Sequence, residues 1–247
     1  MLRYEKKYLV PNAMMDRIRS RISSFVKPDV FTHPAENGIR QYSVRSIYFD
    51  THNLDFYNEK IEGLIHRRKF RIRGYDKFEA GCRVVFEIKR KIENRVKKHR
   101  SFVQFDNVDK ILASGDIEKY IVNDNRCPKA IEDAQRFLYH IKKSQLIPTC
   151  LIVYEREAYH GKFDPGVRIT FDKNIRSLNY PDIDRLFEDD NMTYLFDNHF
   201  ILEIKYFTDQ MPLWARSLVQ EFRLRNDALS KYTIGYQACD VRKKIVH

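Results

Sequence analysis

From Lys69 to Arg73 the chain alternates cation and hydrophobe without a break: Lys69, Arg71 and Arg73 on one side, Phe70 and Ile72 on the other. A period of two is that of a β-strand, so this segment presents one cationic and one apolar face. Like charges along one strand face are unfavourable unless water or an anion lies against them. Such a row is therefore either a solvated surface or a seat for a polyanion. Lys and Arg would neutralise phosphate oxygens there, and Arg adds a planar, bidentate grip. Glu87 and Glu203 each stand two residues before a lysine, Lys89 and Lys205, on comparable strands. A carboxylate among such cations either balances them or holds a divalent metal that bridges phosphate oxygens, and spacing alone supports both.

The elements that must position these residues repeat the pattern. Arg3, Glu5 and Lys7 alternate with Leu2 and Tyr4; Tyr154 shares a face with Arg156; Arg168, Thr170 and Asp172 alternate with Ile169 and Phe171. The apolar faces need a cover, and amphipathic helices are available. Pro11 opens one carrying Met15, Ile18, Ile22 and Phe25 at helical spacing. The segment 107–143 reads as helical, with a stripe of Ile131, Ala134, Phe137, Leu138 and Ile141. Trp214, Leu218 and Phe222 stripe what reads as the final long helix. Strands are expected over Tyr42–Asp50, Pro148–Tyr159, Val167–Ile175 and Phe200–Phe207. The basic run Arg90–Arg100 reads as a solvated turn before a strand from Ser101. With helices covering the apolar faces, the charged faces must point to solvent or into a curled sheet.

Composition narrows the partner. A net charge of +11 in 247 residues calls for an anion: nucleic acid, acidic membrane, nucleotide or phosphate polymer. Base stacking wants aromatics on the cationic face. Phe70, Phe86 and Phe171 fall on the other one, Tyr154 being the main exception, which argues against nucleic acid. No apolar run is long enough to span a membrane. The strand-like N-terminus leaves no room for a signal peptide, and the four cysteines are scattered, so a cytoplasmic protein with reduced thiols is expected. Hydrophobic content of 43% and an even pattern suit one domain over 1–247. No glycine-rich phosphate loop and no clustered histidines with metal spacing occur.

The order of the motifs resembles a known family. Glu5-Lys6-Lys7-Tyr8, Ser46-Ile47-Tyr48-Phe49-Asp50, Phe70-Arg71-Ile72-Arg73, Phe86-Glu87-Ile88-Lys89, Tyr154-Glu155-Arg156, Arg168-Ile169, Leu202-Glu203-Ile204-Lys205 and Ser230-Lys231-Tyr232 are similar, in sequence and order, to the VTC domain. This is the polyphosphate polymerase module of the triphosphate tunnel metalloenzyme superfamily. The resemblance implies an α+β fold: a closed antiparallel β-barrel, the triphosphate tunnel, with a charged interior and helices packed outside. It implies transfer of the ATP γ-phosphate to inorganic polyphosphate with Mn²⁺ or Mg²⁺. Arg71, Arg73, Lys89 and Glu203 would be catalytic, with Glu203 on the metal. Lys7, Arg156, Arg168 and Lys231 would bind the triphosphate, and Tyr154 and Ser230 would add neutral hydrogen bonds. Related triphosphatases begin with Glu-x-Glu-x-Lys, whereas Arg3 takes the first position here. Fewer carboxylates lean toward polymer synthesis; hydrolysis of triphosphates, or silent polyanion binding, are the rival readings.

Overall fold

The computed structural model describes residues 4–35, 38–92, 95–122, 124–207 and 210–245. The position of Arg3, and that of Glu93 and Asn94 in the basic run, lie outside the described residues. In chain order the elements are β1 (Tyr4–Pro11), α1 (Met15–Ile22), β2 (Val26–Pro28), β3 (His33–Pro34), β4 (Arg40–Asp50), α2 (Asp55–Ile61), β5 (His66–Tyr75), β6 (Arg83–Ile92) and β7 (Arg95–Gln104). Then follow α3 (Val108–Ser114), α4 (Ile117–Tyr120), β8 (Ile121–Val122), α5 (Ala130–Lys143), β9 (Ile147–Gly161) and β10 (Arg168–Asn179). The chain ends with β11 (Thr193–Tyr194), β12 (His199–Tyr206), α6 (Leu213–Glu221) and α7 (Lys231–Ile245). No described helix is long and apolar enough to cross a membrane.

The fold is α+β, built on a large antiparallel sheet. Its strands run β1-β12-β10-β9-β4-β5-β6-β7-β8, with β2, β3 and β11 on side pairings. Among the described residues the outermost strands do not pair, so the sheet is open and the expected closed barrel is not formed. Both edges are occupied locally. The free side of β1 is taken by the 226–227 segment: Asn226 accepts from the Lys7 amide at 3.2 Å, and the Asp227 amide donates to the Lys7 carbonyl at 2.8 Å. At the other end, among the described residues, β7 carries only the two-residue β8, and α5 lies against its Arg100–Ser101 part. There the Ser101 hydroxyl donates to the Ala130 carbonyl at 2.5 Å and the Arg100 amide to Asp133 at 2.9 Å.

The chain forms two compact units. The first comprises Met1–Ser43, Tyr154–Arg176 and Tyr194–Lys231; the second comprises Val44–Val153, Ser177–Thr193 and Tyr232–His247. In the first, Ile18 and Ile22 of α1 and Leu218 of α6 bury Val10, Phe171, Phe200, Leu202 and Ile204. In the second, Phe137 of α5 stacks on Phe86 at 4.7 Å and meets Phe49 edge-on at 6.0 Å, sealing the face that holds Phe70, Ile72 and Ile88. The apolar sides of the alternating strands are thus the sides that helices cover.

Several elements differ from expectation. The 107–143 stretch is broken: Gly115 ends α3 in a left-handed conformation (φ 77°), and the Asp116 side chain accepts from the Lys119 amide to start α4. The basic run is the meeting of β6 and β7, not a turn ahead of one short strand. Phe25 lies beyond the end of α1, and α6 is followed by a longer helix, α7.

That last helix overturns the expectation that helices lie only on the apolar side. Tyr232 of α7 stacks on Tyr48 at 5.1 Å, and Tyr48 is opposite Arg71 in the ladder, so within the second unit α7 lies on the polar face. Its hold is specific. The Tyr232 hydroxyl donates to Asp50 at 2.6 Å, and Ser177 donates to the Gly235 carbonyl at 3.0 Å. Gly235 allows the close approach: a β-carbon there would collide with Ile152 Cδ1 and lie 3.1 Å from Ser177 Cβ. Gly235→Ala is expected to lower stability by about 1–3 kcal/mol, read from urea unfolding midpoints at unchanged m-value.

Candidate functional site

In the first unit the polar face is assembled from β1, β9, β10 and β12. Cross-strand register sets Glu203 opposite Lys7 on one side and Thr170 on the other. Glu203 is buried and pairs with Lys205 at 2.6 Å, with Arg156 at 3.7 Å. The Arg156 guanidinium grips Asp172 with both arms, at 2.6 and 2.8 Å. Lys231 reaches the same carboxylate at 2.5 Å. Both cations also lie on the Tyr154 ring, the guanidinium carbon at 5.1 Å and the ammonium at 4.7 Å from its centre. The ring face of Tyr154 is therefore engaged by these two cations. Lys7 bridges Glu5 at 3.1 Å and the Leu229 carbonyl at 3.0 Å, and Ser230, the next residue, is buried. Arg168 is held by Asp29 at 2.8 Å and Tyr42 at 3.0 Å.

Two buried polar atoms here have no hydrogen-bond partner in the structure: the Thr170 hydroxyl and Arg168 Nε. Buried groups are seldom left so without a ligand or water to meet them. Burial alone would raise the Glu203 carboxyl; Lys205, a hydrogen bond with Glu5, Lys7 and Arg156 outweigh it and hold it well below the ordinary range. Asp172 is likewise drawn down, to about 2, as Arg156 and Lys231 overcome its burial. Both remain ionised at neutral pH.

In the second unit the polar face is β4, β5, β6 and β7. Arg71 is buried, forms an ion pair with Glu87 and donates to the Tyr48 hydroxyl at 2.9 Å. Arg73 donates to Ser46 at 3.0 Å. Arg100 takes the second oxygen of Glu87 at 2.8 Å. Burial would raise the Glu87 carboxyl, but Arg71, Arg73, Arg100 and Lys98 hold it far below its usual value. Glu87 is thus paired with its arginines as their counter-charge. Lys89 lies opposite Lys69 and Lys98 in the two ladders.

Of the residues the sequence singled out, Arg71, Arg73 and Lys89 come together in the second unit. Lys7, Tyr154, Arg156, Arg168, Glu203, Ser230 and Lys231 belong to the first. Asp172 and Asp29, which position Arg156 and Arg168, were not among the candidates. Asp172 was signalled by its alternation with Arg168 and Thr170; Asp29 carried no signal, its role depending on a contact 139 residues away.

The sequence matches the profile described as VTC domain over residues 2–239. The chain belongs to the VTC domain family. Membership supports an enzyme that acts on triphosphates. Among solved structures, a proposed adenylyl cyclase from Hippeastrum, described as having a dominant triphosphatase activity, is 12% identical with a TM-score of 0.48, covering 96% of each chain. The PH1819 protein from Pyrococcus horikoshii OT3 is 14% identical with a TM-score of 0.44, covering 97% of this chain and 99% of that one. No curated protein matches the sequence.

The residues of this VTC domain fit a divalent ion held by few protein ligands. No group of three or more His, Cys, Asp or Glu able to hold a metal occurs among the described residues. Glu203 and Glu5, however, are diagonal neighbours on one face of the β1–β12 ladder, Glu5 opposite Lys205 and Glu203 opposite Lys7, so one cation could reach both. One or two carboxylates, with phosphate oxygens and water completing the shell, is the usual arrangement for Mg²⁺ beside a phosphate chain.

The same cluster should make tripolyphosphate binding depend on pH. Burial draws the Lys205 ammonium down to about 8, against the pull of Glu203 and Glu5. Lys205 is therefore charged below that pH and neutral above it. Tripolyphosphate affinity should fall as pH rises through about 8, by about tenfold for one lost charge-assisted contact. Titration calorimetry on either side of that pH would show the step, and Lys205→Arg, which keeps its charge, should abolish it.

Proposed function

We propose that this VTC-domain protein transfers the γ-phosphate of ATP to the end of an inorganic polyphosphate chain. The observation that carries the reading is the engagement of the buried carboxylates. Glu87 is paired with Arg71 and Arg100, Asp172 with Arg156 and Lys231, Glu203 with Lys205 and more distantly Arg156, and Glu5 with Lys7, so each carboxylate is answered by cations; Glu203, with Glu5, is the acidic pair proposed for a metal. A site so poor in acid and so rich in cations favours a phosphate acceptor over an activated water.

Phosphoryl transfer needs positioning and charge neutralisation more than covalent help. In the first unit Arg156, Arg168, Lys7 and Lys231, and in the second Arg71, Arg73 and Lys89, are the proposed ligands of phosphate oxygens. The bond from the γ-phosphorus to the bridging oxygen of ADP breaks as a terminal oxygen of the polymer bonds to that phosphorus. The chain grows by one unit and ADP leaves with the electron pair. Glu203 and Glu5 would hold Mn²⁺ or Mg²⁺, which would neutralise charge on the phosphate oxygens. The guanidinium of Arg156 is kept in place by Asp172 and by the Tyr154 ring, so its orientation is set before substrate arrives.

The test is incubation of the protein with ATP and Mn²⁺, following polymer, free phosphate and ADP. Polymer with matching ADP is expected. Free phosphate alone would replace this reading with a triphosphate hydrolase, and no turnover would leave a polyanion-binding module.

A further inference from the structure

Four aliphatic side chains stand in water at one end of the second unit's sheet. Ile61 closes α2, Leu64 and Ile65 lie in the turn that follows, and Ile92 ends β6; each is between 42 and 62% exposed. The backbone holds them at one edge. The Leu64 amide donates to the Glu59 carbonyl at 3.0 Å, and the Glu59 side chain accepts from the Arg68 amide at 2.7 Å, so the turn is fastened to the start of β5. There His66, the residue after Ile65, is opposite Ile92. The next rung on the same face is Arg68, Arg90 and Lys97. Glu59 answers Arg68 at 2.6 Å, whereas Arg90 and Lys97 are exposed and have no acidic partner among the described residues. The turn itself contributes one acid, Glu62, against these cations. From α5 the Lys143 ammonium lies over the exposed Tyr139 ring, 5.2 Å from its centre. Burial first, then Arg68, Arg90 and Lys143, depress the neighbouring His140 imidazolium, so these three cations gather around one point.

An anion alone would answer the cations and leave the aliphatic groups in water. A second copy of the chain would cover the aliphatic groups, but a two-fold contact would bring like cations together. A bilayer rich in anionic lipid answers both. Headgroup phosphates meet Arg90 and Lys97, whose stems lie along the acyl boundary, while the aliphatic groups leave water. We propose that this edge, with Ile61, Leu64, Ile65 and Ile92 beside Arg90 and Lys97, docks the protein on an anionic membrane surface. The contact is peripheral and does not depend on the phosphoryl-transfer reading, since Arg90 and Lys97 lie on the opposite face of the strands from Arg71 and Arg73.

Flotation with vesicles of phosphatidylcholine alone, and of phosphatidylcholine mixed equally with phosphatidylglycerol, tests the docking edge. Wild type should bind the mixed vesicles and not the neutral ones. Two double variants separate the contributions: Ile65→Ser with Ile92→Ser, and Arg90→Ala with Lys97→Ala. Each should lower binding to the mixed vesicles by roughly tenfold. The urea midpoint should stay at its wild-type value, since all four side chains are exposed. The control is Phe163→Ser with Leu213→Ser in the first unit; these side chains are 77 and 76% exposed, and their loss should leave binding unchanged. Wild type that ignores the mixed vesicles overturns the proposal. Undiminished binding by either edge variant overturns it too, because the contact would then be adsorption of a basic protein or of any apolar surface. An equal loss in the control has the same consequence.

Discussion

Glu203→Gln is expected to lower metal-dependent turnover of ATP by about 100-fold or more, on the scale of losing a principal electrostatic stabiliser of the transition state. The substitution keeps the side-chain volume and removes the charge. In the folded protein that charge is set between Lys205 at 2.6 Å and Arg156 at 3.7 Å, opposite Lys7 in the ladder. Its loss leaves those cations with less counter-charge. Metal-free binding of tripolyphosphate should therefore persist and tighten, as the anion meets more net positive charge. This opposition of effects separates a metal-holding role from a merely structural one, because misfolding would weaken both. Turnover at the wild-type rate with the same metal requirement would remove Glu203 from the mechanism. With Glu87 held by two arginines, Glu5 would then be the carboxylate to test.

Much of this arrangement was legible because a strand repeats every two residues and burial acts on whole faces. The alternation of Phe70 and Ile72 with Arg71 and Arg73 is reproduced by Phe137 packing on one side and Tyr48 and Ser46 lying on the other. What escaped depends on contacts remote in sequence. The placement of α7 on the polar face rests on a hydrogen bond between residues 182 apart, Tyr232 and Asp50, and on the room Gly235 leaves beside Ile152. Neither changes the hydrophobic pattern of its own segment. Closure of the sheet was an inference from the family, and it depends on which groups reach the edge of β1. Asn226 and Asp227 reach it from a segment with no strand signal of its own. The break at Gly115 and Asp116 differs in kind. A left-handed glycine followed by a capping aspartate is a local signal, and the apolar stripe of α5 outweighed it in reading the whole stretch as one helix.

Arg71→Ala should weaken tripolyphosphate binding whether or not metal is present, by roughly 1.5–3 kcal/mol, or about tenfold to a hundredfold in affinity. It should also destabilise the fold, because Arg71 is the largest of the charges that offset the burial of Glu87. Removing one partner of a buried ion pair strands the other, at about 3–5 kcal/mol. Arg100 still bonds the second Glu87 oxygen, so the lower end of that range applies. The pH dependence follows from the sign of the shift. Glu87 has a folded value below its unfolded one, so its stabilising contribution is present above the ordinary carboxylate range and is lost as pH falls toward the folded value. In Arg71→Ala that contribution should be smaller at neutral pH, and the difference in stability from wild type should shrink in acid. Adding Glu87→Gln to Arg71→Ala removes the stranded charge. The double variant should regain most of the lost stability while its tripolyphosphate affinity stays low, a non-additivity that a double-mutant cycle reads directly. Recovery of binding together with stability would mean that Arg71 acts by holding the sheet and not by holding phosphate.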